Sequence, residues 1–152
     1  MYVGVIKESE FLYDGYRCVI LMNAFGFRTG YVGIPKDHSL YGKHYINMDI
    51  DCHGGLTYSD NKLHYRDDKD TWWIGFDTGH YFDLRDWEAC FEQFKDYPET
   101  IEELRIIKDM ENEYSLRGEI GEVRTLDFCK KECMSIVKQV KEYEKHKSNK
   151  RF

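Results

Sequence analysis

The stretch YRCVILMNAFGFRTGYVGI, Tyr16 to Ile34, decides the fold. Its first arm, Tyr16 to Met22, is almost continuously apolar, the pattern of a central strand buried on both faces. Asn23-Ala24-Phe25-Gly26 is turn chemistry, and Phe27 to Ile34 returns as the second arm of a hairpin. Pro35 ends that arm, because it has no N–H to give to a ladder. PKDHSLYGKHY then reads as a polar loop or short helical turn. A third strand is expected within Ile46 to Tyr58, around HGGLTYS. Lys62–Arg66 and Thr71–Asp77 read as another hairpin about the acidic turn Asp67-Asp68-Lys69-Asp70.

Past Asp83 the apolar period changes from two to 3.6. Leu84, Trp87, Phe91 and Phe94 mark one face of a helix that Tyr97-Pro98 closes. Thr100-Ile-Glu-Glu103 has the form of a capping box, opening a second helix with Ile101, Leu104, Ile107 and Met110 inward. Gly118 and Gly121 bracket a break. Thr125 caps a third helix whose stripe is Leu126, Cys129, Cys133, Ile136, Val137 and Val140, and the charged end KEYEKHKSNKRF is expected to fray. The expected fold is therefore α+β: an antiparallel sheet of four to five strands with the C-terminal helices on one face. Residues 1–152 read as one domain, with a β-rich part (1–83) and a helical part (84–152).

Composition narrows the function. The net charge is −6 and no basic stripe precedes the last residues, which disfavours bulk nucleic acid as a partner. Aromatic residues make up 16%, and such residues often line pockets or interfaces. The five cysteines, Cys18, Cys52, Cys90, Cys129 and Cys133, are an odd set without a CxxC pair. MYVGVIKESEF has no signal-peptide pattern, and no apolar run is long enough to span a membrane. A cytoplasmic location with reduced thiols is expected.

Three polar segments interrupt the β half and carry the candidate chemistry. His53-Gly54-Gly55 sets two permissive glycines beside an imidazole, so that backbone N–H groups can turn toward an anion. Asp77 to Asp83 holds two carboxylates and His80 within seven residues, enough for a metal corner or for a histidine base oriented by an aspartate. The spacing of Asp77, His80 and His53 matches no tight ligand template, so no metal or other cofactor is assigned. Plainer readings stand beside these. Gly54-Gly55 suits a bulge, Asp77-Thr78-Gly79 suits an ordinary turn, and Asp83 suits a helix N-cap with Asp86 three residues on. His38 and His44 are weak candidates in a polar loop. Trp72 and Trp73 point to opposite faces of a strand, one toward the core and the other free to cover a pocket. Cys52 cannot face His53 on a strand and reads as a small core residue.

GYVGIPKDHSLYGKHY, HGGLTYS, WWIGFDTGHYFD and VRTLDFCKKECMSIVKQV together resemble a family of small, largely uncharacterised bacteriophage and prophage proteins. The chain departs from that family at Tyr81-Phe82, where the family carries an alanine-glycine pair. The resemblance implies a phage accessory protein, acting against host defence in the host cytoplasm. On this reading a polar pocket binds and hydrolyses a small phosphate- or nucleotide-like ligand. His53 and His80 share the acid–base work and Asp77 orients one of them. Lys43, Gly54, Gly55, Thr57 and Trp73 hold the ligand. Two other readings stay open: an acidic protein-binding inhibitor of a host protein without chemistry, and a virion assembly factor.

Overall fold

The computed structural model describes residues 2–64, 66, 67, 69–114 and 121–149. The hairpin foreseen at Tyr16 to Ile34 is its centre. It consists of β2 (Tyr16–Asn23) and β3 (Arg28–Pro35), whose register sets Cys18 opposite Val32 and Met22 opposite Arg28. Three more strands complete an antiparallel sheet: β1 (Val5–Tyr13), β4 (Tyr58–Asp60) and β7 (Thr71–Asp77), in the order β1-β2-β3-β7-β4. Between β4 and β7, β5 (Lys62–Leu63) and β6 (Arg66–Asp67) make a ribbon of their own. Lys62–Arg66 thus does not pair with Thr71–Asp77, as the sequence suggested, because β7 is already paired on both edges by β3 and β4. The strand expected around HGGLTYS shrinks to β4, and residues 48–57 run as loop.

Alternation sorts the side chains as strand geometry requires. Cys18, Ile20, Val32, Ile34, Ile74 and Phe76 face one way, and Cys129, Cys133, Ile136, Val137 and Val140 of α3 (Leu126–Asn149) close over them. Val19, Leu21, Tyr31 and Trp73 face the other way and meet Leu63 of the small ribbon. Two glycines make close packing across the central strands possible. Gly30 lies opposite Phe76 and Gly75 opposite Tyr31, and a Cβ at either glycine would stand 2.5 Å from the facing ring. The bare backbone serves as the floor on which those rings lie.

The remaining helices, α1 (Trp87–Gln93) and α2 (Pro98–Tyr114), bury Cys90, Phe94 and Leu104 against Met22 and Ala24 at the far end of β2. Met22 shares the parity of Cys18 and Ile20, so all three helices lie on one face of the sheet, as foreseen. Details of the caps differ from the sequence reading. Pro98 opens α2, suited to a first helical position whose N–H has no intrahelical partner. Thr100 is therefore inside the helix, fully buried. Its hydroxyl accepts from Val3 N at 3.0 Å and donates to Val3 O at 2.9 Å, which clamps the N-terminal segment. Met110, placed inward by periodicity, is 57% exposed. α3 is helical as far as Asn149, and Gly118 and residues 150–152 lie outside the described residues. All five cysteines are unbridged, and no helix among the described residues is long and apolar enough to cross a membrane.

β1 carries the one irregularity with consequences at a distance. Lys7 pairs with Leu21 but Ser9 pairs with Ile20, so Glu8 is an extra residue in a β-bulge. The bulge turns Glu8 toward the Arg28 guanidinium, which it grips at 2.6 and 2.9 Å in a nearly dry setting. Arg28 also donates to Asp86 Oδ2 and to the Arg124 carbonyl, both at 2.9 Å. Asp86, not Asp83, caps α1, through a bond from Ala89 N. That leaves Asp83 for other work.

Candidate functional site

Three chain segments meet at the end of β7. The first is the turn after β7, where Asp77 Oδ1 accepts from Gly79 N at 2.9 Å and Asp83 N donates to His80 O at 3.0 Å. The second is β9 (Glu122–Val123), which runs parallel to β8 (Asp83–Leu84) and delivers Arg124 beside Asp83. The third is the loop around residues 51–55, which α3 holds by side chains two turns apart. Glu132 Oε1 accepts from His53 N at 2.7 Å, and Gln139 exchanges two bonds of 2.7 Å with the Asp51 backbone.

The Asp83 carboxylate lies at the centre and is fully buried. Its Oδ1 accepts from His53 Nε2 at 2.8 Å and from Arg124 Nε at 2.7 Å. Its Oδ2 accepts from His80 Nδ1 at 2.7 Å and from the His80 backbone N–H at 3.1 Å. Burial by itself raises the Asp83 pKa, but the bonds from His53, Arg124 and His80 outweigh it and bring it down to about 2. Asp83 is thus ionised at neutral pH and can only accept hydrogen bonds, so both imidazoles turn a protonated nitrogen toward it. His53 keeps Nδ1 and His80 keeps Nε2 for other partners. Among the described residues neither nitrogen has a hydrogen-bond partner. The rings stand 5.2 Å apart, nearly perpendicular, with Phe82 and Phe128 as apolar walls. The Arg124 guanidinium lies over Phe128 and pairs with Glu122 at 2.9 Å.

Several residues named from sequence gather here, with roles redistributed. Asp77 was expected to orient a histidine. Its closest approach to His80 Nε2 is 3.8 Å, too long for a hydrogen bond, and it accepts instead from Gly79 and from the Thr57 hydroxyl at 3.2 Å. The orienting carboxylate is Asp83, for both imidazoles. Gly54, at φ +69°, lies against the His80 ring, and a Cβ there would stand 2.3 Å from Cε1 and Nε2. Its neighbour Gly55 does not offer its N–H to an anion, since that group closes a turn onto Cys52 O at 2.9 Å. Cys52 packs at the edge of the core, with its thiol pushed up to about 12 by burial and by Glu132, Asp51 and Asp77.

Two expected ligand residues are elsewhere. Trp73 is fully buried on the opposite face of the sheet, under the Arg17 guanidinium, and cannot touch a ligand. Its neighbour Trp72 is the half-buried one, donating from Nε1 to Lys43 O at 2.8 Å. That bond ties Lys43 to the start of β7, about 17 Å of strand away from Asp77. Arg124 is the cation actually at the site. Nothing in its local pattern marks it, because only the β8–β9 pairing places it there. Of the other histidines, His38 is buried and structural, bonded to Val140 O and Leu40 N, and His44 caps the 3-10 turn at Tyr45–Asn47.

The donor atoms of His53, His80 and Asp83 all lie within 4.8 Å of one another, which also suits a metal ion. However, the N···O separations of 2.7 and 2.8 Å are hydrogen-bond lengths. Ligands about 2.0–2.1 Å from a tetrahedral ion stand about 3.3 Å apart. Arg124 Nε also bonds to Asp83 Oδ1. As it stands, the centre is a hydrogen-bonded pair of imidazoles mounted on one carboxylate. Comparisons of the chain with protein-family models, with curated proteins and with solved structures find no match.

Proposed function

We propose that this corner is an acid–base site that binds and hydrolyses a small phosphate- or nucleotide-like ligand. The observation that carries the reading is that one buried, ionised carboxylate holds one nitrogen of each of two imidazoles. Each ring is thereby fixed in place and left with its other nitrogen for a substrate. His80, the more exposed at 28%, takes a proton from water as the water oxygen attacks phosphorus. His53, in its protonated form, gives a proton to the leaving oxygen as the P–O bond breaks. Arg124 supplies positive charge beside the reacting group. General acid–base catalysis of this kind contributes about 10²- to 10⁴-fold in rate. The setting, a phage or prophage accessory protein acting against host defence, rests on the resemblance of the segments quoted above.

The test uses bis(4-nitrophenyl) phosphate and a panel of linear and cyclic dinucleotides as substrates. His80→Asn keeps an N–H near the position of Nδ1, and His53→Gln keeps one near Nε2, so both preserve the bonds to Asp83 while removing the free nitrogen. Each should lower turnover at least 100-fold with little change in melting temperature. Turnover unchanged in both would remove the histidines from any catalytic role. If the intact protein turns over no member of the panel, the second reading takes precedence: a protein-binding inhibitor without chemistry. It is favoured by the exposure of Tyr81, Phe82 and Val123 at this same corner. Phe82→Asp should then abolish its complex.

A further inference from the structure

Away from the histidines, α1 and α2 flank an open groove with a volume of about 560 Å³. Its α2 wall is a single helical stripe, Ile101, Arg105, Lys108 and Asn112, at spacings of four, three and four residues. Its α1 wall is Phe91, whose ring stacks on Trp87 and lies 5.5 Å from the Lys108 ammonium. The cleft thus joins an apolar floor, Phe91 and Ile101, to a basic rim. The rim is out of keeping with the rest of the chain. Acidic side chains outnumber Lys and Arg by six (28 against 22), yet Arg105 and Lys108 have no ion-pair partner among the described residues. Lys95, at the mouth, is paired with Glu92 at 2.8 Å, and Asp109 is the one carboxylate in the lining among the described residues.

We propose that this cleft is a second binding site, for a small aromatic anion of mononucleotide type. The flat ring lies on Phe91 and Ile101, and the phosphate is held by Arg105 and Lys108. Residues three apart on a helix are about 5–6 Å apart at Cβ, so both cations reach one phosphate. Arg can offer a bidentate face and Lys a point charge. A ligand ring over Phe91 takes the place now held by the Lys108 ammonium and releases it to the phosphate. This site is independent of the acid–base corner.

The experiment is a titration of the full chain with AMP, adenosine and inorganic phosphate, followed by backbone amide NMR. AMP should shift amides of 91–112, adenosine and phosphate should each bind at least tenfold more weakly, and added salt should weaken AMP binding. The double variant Arg105→Glu/Lys108→Glu, both on exposed or half-buried positions, should bind AMP at least tenfold more weakly with an unchanged melting temperature. His80→Asn should leave AMP affinity in the cleft unchanged. No shifts in 91–112 at millimolar AMP would overturn the proposal. So would equal binding of AMP by the double variant, or a loss of these shifts in His80→Asn.

Discussion

The core beneath α3 is dry throughout, whereas the corner around Asp83 is buried at its centre and open at its edge, and different forces hold them. The core is Cys18, Ile20, Val32, Ile34, Ile74 and Phe76 against the α3 stripe, an assembly of apolar surface with no direction to its attraction. An apolar side chain of similar volume can replace another there at modest cost. The corner is Asp83, His53, His80 and Arg124, backed by Glu8, Arg28 and Asp86, where every residue is bonded to a carboxylate or a guanidinium. Removing one member strands the others in a poor solvent for charge. The lesson is that burial alone does not set tolerance. The corner is over-determined in geometry, which is what a pair of positioned imidazoles requires.

The sharpest way to break this comparison is to remove the central carboxylate. Asp83→Ala leaves Arg124 and two imidazoles facing a void and should cost about 3–5 kcal/mol in urea unfolding. A loss below about 1 kcal/mol would show that water reaches the cluster and that it is not held as described. A deletion in the apolar cluster under α1 and α2, Leu104→Ala, should cost about 3 kcal/mol by transfer and cavity formation. Its effect should be independent of pH between 3 and 8, whereas that of Asp83 should not.

The pH dependence follows from the low Asp83 pKa. Its value is about 2 in the folded chain against 3.8 for an ordinary aspartate, so the folded state favours the ionised form. The contribution is fully present above pH 4 and is lost as pH falls toward 2. It amounts to about 2 kcal/mol. The stability gap between the intact protein and Asp83→Asn, measured by denaturant unfolding at each pH, should therefore narrow below pH 4. A gap that stays constant to pH 2 would contradict the assignment. The smallest expected effects separate the two adjacent glycines. Both have positive φ, +69° at Gly54 and +81° at Gly55, so alanine at either costs about 1–2 kcal/mol of backbone strain. Only Gly54→Ala also drives a methyl into the His80 ring, since nothing lies within 4 Å of a Cβ at Gly55. Gly54→Ala should alter the His80 ring resonances and any turnover, and Gly55→Ala should not.

Local pattern made much of this readable. The hairpin at Tyr16 to Ile34, strand β7 and the stripe of α3 follow from apolar periods of two and 3.6, because each repeats on a face that must leave water. His53 and His80 stood out because each adjoins a glycine, and for Gly54 the close approach to His80 is the reason. β1 was missed, since VIKESEFLY mixes charge into both faces, and its Glu8 makes sense only with Arg28 in place. Trp73 was misassigned because alternation says that two adjacent side chains oppose each other, not which face is wet, and Lys43 because only its bond to Trp72 fixes where its loop lies.

What the sequence determined by itself, then, is the set of elements and their apolar faces, since these depend on spacing along one segment. What only the tertiary structure decided is partnership. Asp83 is three residues from His80 along the turn but reaches His53 thirty residues away and Arg124 forty-one residues away. Asp83 became the central acceptor and Asp86 the helix cap because the Arg28 network and the β8–β9 pairing assign them so. A buried charge takes its meaning from whatever folding brings within about 3 Å of it, and that distance is a property of the packed chain alone.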